Sequence, residues 1–296
     1  MAQSSEDVNQ SELIESIGPW PFRTRRTYRR PDHSLAIWRS RHHRKRLPAT
    51  EPGKALAVGA TLLRCLWMPR HLNWWIGLVF AAGSLLFLAG SVLSLAPALA
   101  QKWSLDTTAI NATFFAGSIP FTIAAYLQLF QAANAGAFSP HGRLAPRRIV
   151  LFGWRPHEIG WLSCALQFLG TVSFNVNTFD AMLPDLNWLQ QDLAIWGPDF
   201  IGSVLFLASG YLAFIETCHA HWAWRPASIS WWVPFVNLLG CVAFMISALF
   251  AFVWPRSPSV DVVTISVTFT LIGAIGFLSG SLLMLPEDAS ARQRDL

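Results

Sequence analysis

The sequence predicts an all-α integral membrane protein with six transmembrane helices, built as three repeated two-helix hairpins in a pseudo-threefold arrangement. One observation is composition: of 296 residues, 53% are hydrophobic and 13% charged, with a mean hydropathy of +0.37. Soluble domains carry about 25% charged residues, so the sequence does not fit that class. A second is a set of long stretches without Asp, Glu, Lys or Arg, and a third is an internal repeat.

The uncharged stretches predict where the chain crosses the bilayer, since a hydrocarbon core of about 30 Å needs about 20 apolar helical residues. The fourth span is the shortest, because only sixteen residues separate Asp199 from Glu216. One of these two carboxylates should therefore lie at or just inside the membrane interface. The six helices are expected at about 73–97, 110–133, 159–180, 197–217, 231–254 and 262–285.

The distribution of Lys and Arg predicts the orientation. By this topology twenty of the 22 lie on one side of the membrane, and Lys102 and Arg256 lie on the other. Because positive charge favours the cytoplasmic side, both termini are expected in the cytoplasm of a protein of the plasma (inner) membrane. The polar, acidic start does not resemble a cleavable signal peptide. No structural disulfide is expected from the four cysteines, which this topology places in the cytoplasm or the membrane.

An internal repeat opens the odd-numbered helices. The segment from Trp67 to Trp74 recurs from Trp154 to Trp161 and from Trp224 to Trp231, with a proline two residues after the first Trp in each copy. The repeats predict scaffold: Trp at the headgroup level, Pro in a first helical turn, and small residues at helix contacts.

A shorter motif, glycine and a small residue followed by phenylalanine, occurs in all six helices. A phenylalanine one turn after the small pair can fill the notch that these residues leave on a neighbouring helix. The six glycine–phenylalanine pairs are Gly83 and Phe87, Gly117 and Phe121, Gly170 and Phe174, Gly202 and Phe206, Gly240 and Phe244, and Gly273 and Phe277.

Ten residues beyond the phenylalanine of each even-numbered helix stand Gln131, Glu216 and Glu287. A carboxylate near a helix C-terminus opposes the helix dipole, so a nearby cation should compensate it. The hypothesis is that Glu216 and Glu287 form interfacial ion pairs with Arg155 and Arg225, and a proton-coupling role for Glu216 is the alternative.

Polar residues that break the repeat are the candidates for function inside the membrane. Polar side chains at membrane depth face the bundle interior, where they bind each other, water or a solute. Two interpretations stay open, namely hydrogen-bonding contacts between helices and the lining of a solute path. The candidates are Gln167, Asn175, Asn177 and Asn237.

Known catalytic and cofactor motifs are missing from the sequence, so no cofactor and no catalytic residue is predicted. The densest set of metal-ligand residue types is Glu216, Cys218, His219 and His221. It has no second pair of the kind that zinc sites use, so no metal site is predicted. All eight histidines fall outside the predicted spans, which argues against a transmembrane haem.

The N-terminal segment is expected to be a basic, disordered cytoplasmic arm over residues 1–54, followed by an interfacial helix over 55–72. Residues 23–46 contain ten Lys or Arg, which favours contact with anionic lipid headgroups over binding of nucleic acid. The remaining boundaries are hairpin repeats at 73–134, 150–218 and 222–287 and a cytoplasmic tail at 288–296.

The segment from Arg155 to Thr178, with Gln167-Phe168-Leu169-Gly170-Thr171 before Phe174-Asn175, resembles uncharacterised multi-pass bacterial membrane proteins. The Gly-Ser-x-x-Phe hairpins are similar to those of YrhK-like domains. The resemblance covers the hairpins and not the arm, and it implies no activity. The function favoured is therefore a non-catalytic protein that organises lipid or binds a protein partner or a second copy. The alternatives are a small-solute channel or transporter along the bundle axis and, more remotely, a membrane enzyme.

Overall fold

Residues 11–47, 65–136, 138, 149–253 and 260–292 are described by the structure, which is a computed structural model. Within these residues, six helices are long and apolar enough to cross a membrane, so the chain is a multi-pass membrane protein whose membrane part is all-α. The spanning helices are α2 (Leu72–Leu95), α4 (Thr107–Ala133), α5 (Ile159–Asp180), α7 (Gly197–Cys218), α8 (Ile229–Phe250) and α9 (Val260–Arg292); the short helices are α1 (Ser40–Arg44), α3 (Pro97–Lys102) and α6 (Trp188–Gln191).

The fourth and sixth spans are longer than the sequence predicts. A π-helical turn, Asp192–Trp196, joins α6 to α7, so the fourth span runs continuously from Trp188 to Cys218. The sixth continues past the predicted end at 285 to Arg292. At the end of α7, Glu216 is fully buried in protein. The expectation that one of Asp199 and Glu216 lies at the membrane interface stays a prediction.

The spanning helices form a closed ring. Each packs against the next along the chain, and α9 packs against α2. We call the end of the ring at which α2, α5 and α8 begin the arm end, because the N-terminal segment lies there. The ring is consistent with three antiparallel hairpins, while their pseudo-threefold relation stays a prediction.

The glycine–phenylalanine motif does what its spacing predicts. Within a hairpin, the phenylalanine of each helix packs on the motif glycine of the other. A Cβ on Gly170 would lie 2.6 Å from Cδ1 of Phe206, and one on Gly117 would lie 2.8 Å from Cδ2 of Phe87. The interpretation as a packing motif is therefore confirmed, because only glycine allows so close an approach.

The same six phenylalanines fill the centre of the ring. Each is at most 6% exposed, and neighbouring ring centroids lie 4.9–6.5 Å apart. The cavity between them has a volume of about 10 Å³, room for about one water molecule. The six belong to one buried cluster: Phe87, Phe121, Phe174, Phe206, Phe244 and Phe277.

The repeated tryptophans mark the arm end of each hairpin. The second Trp of each pair is buried, and its indole N–H donates to a backbone carbonyl eight or nine residues earlier, at 2.8–3.2 Å. The first Trp is 61–83% exposed and packs edge-on against the second. This pairing satisfies the buried N–H and leaves one indole outside, as expected of an interfacial anchor.

The N-terminal arm is folded, so the prediction of a disordered arm is wrong over residues 11–47. Three antiparallel strands form a sheet in the order β1 (Glu12–Ile17), β2 (Arg25–Arg29), β3 (Leu35–Arg39), and α1 follows β3 directly. The sheet is joined to the helical ring through α1, which packs on the ring, and through Thr24 just before β2, whose hydroxyl lies 3.0 Å from Nδ1 of His219. Of the predicted interfacial helix at 55–72, residues 55–64 lie outside the described part of the chain.

Candidate functional site

The arm ends in a short helix that lies on the arm end of the ring, and its cations enter the protein interior. Arg44 of α1 makes a bidentate contact with Glu216 at the end of α7, with Nη2 and Nε 3.0 and 3.2 Å from Oε2. The hydroxyl of Ser40 donates to Oε1 of the same carboxylate at 2.6 Å. Glu216 is 0% exposed, and in the part of the chain that the structure describes its carboxylate is bound by Ser40 and Arg44 of this segment.

The second carboxylate of the repeat binds two cations from the same helix turn. Nη2 of Arg41 lies 2.9 Å from Oε2 of Glu287, and Nζ of Lys45 lies 2.8 Å from that oxygen. All three side chains are at most 6% exposed. Buried pairs of this kind need good geometry and further hydrogen bonds to offset their desolvation, and both are present.

An amide network continues the site to the first hairpin. Asn73, at the start of α2, donates to the carbonyl of Lys45 at 2.9 Å and to Oδ1 of Asp288 at 3.1 Å. Gln131 of α4 donates to Oδ1 of Asn73 at 3.0 Å. The three residues at equivalent repeat positions, Gln131, Glu216 and Glu287, thus belong to one buried network beneath the arm.

Gly160, at the start of α5, provides the space for the contact between Arg44 and Glu216. A Cβ there would lie 2.5 Å from Oε1 of Glu216 and 2.6 Å from Cδ of Arg44. Trp161 follows it in the repeat, where the other copies have Asn73 and Ser230 before their Trp. Glycine occurs at this position in one copy of the repeat, where it leaves room for the guanidinium of Arg44 to reach Glu216.

The charges in the site balance. Arg41, Arg44 and Lys45 face Glu216, Glu287 and Asp288, and all six are buried. Burial lowers the pKa of Arg44, but the attraction of Glu216 outweighs this and raises it above its ordinary value. Burial and the nearby charge of Arg41 lower the pKa of Lys45 to about 8, against the attraction of Glu287, so the lysine stays charged at neutral pH.

The predicted partners of the carboxylates are wrong. Glu216 and Glu287 are in ion pairs, but Arg155 contacts its neighbour Glu158 at 3.3 Å and Arg225 is exposed on the surface. The reason is that a carboxylate buried in the ring needs a cation that can reach it inside the protein. Helix α1, which lies at the arm end of the ring, supplies one.

The polar candidates inside the membrane do not line one path. Asn175 donates to Oγ1 of Thr122 at 2.8 Å, between α5 and α4, whereas Asn177 donates to the carbonyl of Ile195 in the π-helical turn at 2.9 Å. Asn237 packs against Gly280 of α9, and Gln167 is half-buried. Their positions favour separate contacts between helices over a continuous lining.

The residues of metal-ligand type do not converge. Glu216 binds Arg44, Nδ1 of His219 lies 3.0 Å from Oγ1 of Thr24, and Nδ1 of His221 lies 2.9 Å from the hydroxyl of Tyr211. Each potential ligand is therefore engaged with a different partner, as Cys218 is with the carbonyl of Ala223.

Sequence reasoning found the two glutamates and missed Arg41, Arg44 and Lys45 as their partners. A basic run normally stays in water, so its burial was not expected. One signal was present: Pro31 and Asp32 form a turn motif between two short segments with β-branched and aromatic residues, typical of a hairpin. A hairpin would have indicated a folded arm.

The comparisons with known proteins give no relative. No family model matches the chain, and neither a curated protein nor a solved structure matches it. The resemblance to YrhK-like hairpins therefore remains an expectation from the motifs, and the function is argued from the geometry alone.

Proposed function

We propose that this chain is a non-catalytic membrane protein whose closed six-helix ring holds a folded N-terminal module at the cytoplasmic membrane surface. The module, residues 11–47, would present lipid-binding or partner-binding surfaces there. The observation that carries the proposal is the pair of buried ion contacts that fix α1 to the ring, between Arg44 and Glu216 and between Arg41, Lys45 and Glu287.

Two further features favour this function over a channel or transporter. Phenyl rings fill the centre of the ring and leave a cavity of only about 10 Å³. The arm covers the end of the same ring with a charge-balanced network. A solute path would need a continuous polar lining, and the amides proposed for it make separate contacts with different elements.

The orientation and the lipid partner are part of the proposal. The excess of Lys and Arg supports a cytoplasmic arm end in a plasma (inner) membrane. Three of the ten basic residues in 23–46 are buried in ion pairs with the ring. Contact with anionic headgroups is therefore left to the basic residues at the surface.

Water access to α5 tests the closed ring. After the four native cysteines are replaced, single cysteines are placed at Gln167, Asn175 and Asn177 and treated with a membrane-impermeant thiol reagent from each side. We expect no labelling of Asn175→Cys and only slow labelling of Gln167→Cys, because the first lies at a helix contact. Trp154→Cys, at an 83% exposed site, is the control that must label from the arm side.

Labelling at all three depths would overturn the proposal and favour a wet pathway. Proteoliposomes carrying the native chain provide the second measurement, since a closed ring should add no flux of small ions or neutral solutes over empty vesicles. Labelling of Trp154→Cys from the opposite side would contradict the orientation alone.

A further inference from the structure

An apolar segment is exposed at the arm end, between α4 and α5. Residues 149–152, which we call the apolar loop, lie outside regular secondary structure and come shortly before Trp154 of the repeat. Consecutive large apolar side chains at a surface are unfavourable in water, so their number here indicates a different environment. All four side chains are 36–77% exposed: Ile149, Val150, Leu151 and Phe152.

The apolar character belongs to this copy of the repeat. The four equivalent positions before Trp224 are His-Ala-His-Trp, at 219–222, and those before Trp67 are Leu-Leu-Arg-Cys, at 62–65. Each of the other copies thus has at least one basic or imidazole side chain there, whereas Ile-Val-Leu-Phe has none. The loop is therefore an addition to the shared scaffold of the second hairpin.

Aromatic contacts place the loop beside the spanning helices. The ring centroid of Phe152 lies 5.4 Å from that of Tyr126 in α4 and 6.3 Å from that of Phe168 in α5. Tyr126 lies seven residues before the end of α4 and Phe168 nine residues after the start of α5. At 1.5 Å per residue, these positions are about 10–13 Å along the helices from the arm end. Phe152 therefore reaches a level at which the outer surface of the ring is expected to contact lipid.

The protein itself supplies hydrogen bonds to the backbone of the loop. Asn134, which caps α4, binds both backbone groups of Val150: its Oδ1 accepts from the N–H at 3.0 Å, and its Nδ2 donates to the carbonyl at 2.7 Å. The carbonyl of Phe152 accepts from the indole N–H of Trp161 at 3.2 Å. Non-helical backbone near a bilayer needs partners inside the protein, because lipid chains offer none. These contacts lower the cost of placing the loop against lipid.

The residues around the loop match the layers of a bilayer surface. Trp154 is 83% exposed, and indole rings prefer the headgroup level. Arg147 and Arg148 directly precede the loop in the sequence, and basic side chains are attracted to the phosphates of that level. Apolar side chains flanked by an indole and by cations are typical of segments that enter a membrane interface. The bilayer is therefore the partner that this surface fits.

The same end of α4 also contacts the arm. The carbonyl of Asn134 accepts from Nη2 of Arg46 at 3.1 Å, and the carbonyl of Gly136 lies 3.3 Å from Nε2 of His43 in α1. The residue that holds the loop thus also binds the end of the docked segment. A loop inserted in the bilayer would keep the arm next to the membrane surface.

We propose that the apolar loop inserts into the bilayer leaflet at the arm end, where Asn134 positions it. Its backbone lies at the boundary between headgroups and acyl chains, and its side chains lie among the chains. Trp154 stays at the headgroup level, within reach of water. The inference depends on the six membrane spans, and it does not depend on a closed ring or on a cytoplasmic orientation. A solute path through the ring would therefore leave it unaffected.

The depth of a spin label on the loop tests the proposal. The four native cysteines are replaced, the full chain is reconstituted in phosphatidylcholine bilayers, and a nitroxide is attached to Leu151→Cys. Its collisions with oxygen, which concentrates among acyl chains, are compared with those with a water-soluble nickel chelate. We expect oxygen to dominate, as it should at Leu169→Cys on the outer surface of α5. Leu35→Cys, at a 58% exposed site in β3, is the control at which the nickel chelate should dominate.

The role of Asn134 is tested in the same labelled chain. Asn134→Ala removes both hydrogen bonds to Val150, so we expect the label at Leu151→Cys to collide more with the nickel chelate and less with oxygen. Asn111→Ala is the matched control. Asn111 also lies in α4 and binds the carbonyl of a residue beyond the end of α5, that of Ala181, but at the other end of the ring. This variant should leave the depth of the label unchanged.

Two results at Leu151→Cys would overturn the insertion. Dominance of the nickel chelate would place the loop in water. Exclusion of both reagents would mean that protein covers it, and magnetic broadening between labels on two molecules would then identify a second copy as the cover. An unchanged label in Asn134→Ala, or an equal change in Asn111→Ala, would contradict the positioning role of Asn134.

Discussion

Replacing Glu216 with Gln is expected to lower the free energy of unfolding in detergent by about 3–5 kcal/mol. Gln keeps the shape of the side chain and a hydrogen-bond acceptor for Ser40, but it leaves the buried guanidinium of Arg44 without a counter-charge. Thermal or denaturant unfolding of the purified protein measures the loss. Glu158→Gln is the control: this carboxylate is 53% exposed and pairs with Arg155 at 3.3 Å, so its removal should cost less than about 1 kcal/mol.

A double variant separates charge from packing. Arg44→Met combined with Glu216→Gln removes both charges, and it should recover most of the stability lost by Glu216→Gln alone, because no unpaired charge is left in the interior. The account is contradicted by a native melting midpoint in Glu216→Gln. It would also be contradicted if adding Arg44→Met lowered the free energy of unfolding further, so that the losses from the two substitutions simply added.

Phe244→Ala is expected to destabilise the ring by about 3–5 kcal/mol. Its ring contacts those of Phe87, Phe174, Phe206 and Phe277, with centroids 5.5–6.5 Å away, and it is 5% exposed. Removing it therefore leaves a cavity that several helices would have to move to fill. Unfolding in detergent gives the magnitude.

Phe250→Ala serves as the control for Phe244→Ala, since this residue lies on the same helix and is 41% exposed. It should melt close to the native chain. The cavity of Phe244→Ala is lined by phenyl rings and should stay dry, so the variant should still pass no solute. Equal stability of the two variants would mean that the phenylalanines do not form the core of the ring.

The helices and the packing motif could be predicted from the sequence because the bilayer imposes them. An uncharged stretch of about 20 residues has few alternatives to a spanning helix, and glycine beside a small residue marks a close contact. The contact of Gly170 with Phe206 follows from that rule. These are local patterns with a single physical cause.

The folded arm and the partners of the glutamates could not be predicted in the same way. Their contacts join residues far apart in sequence, such as Arg44 with Glu216 and Arg41 with Glu287. Local composition shows that a residue is basic, but it does not show which carboxylate that residue will contact after folding. The sequence therefore indicated that Glu216 needs a cation beside it. Arg225 is nearer to Glu216 in sequence than Arg44 is, but Arg44 is the residue that binds it.

The central claim is that α1 is docked on the ring, and hydrogen exchange of its amides in the reconstituted chain tests it most directly. A five-residue helix is not stable by itself, so slow exchange of Lys45, Arg46 and Leu47 must come from docking. We expect protected amides in the native chain, and exchange faster by roughly tenfold or more when Glu216→Gln and Glu287→Gln are combined. Exchange of these amides in the native chain at the rate of an unfolded peptide would contradict the account.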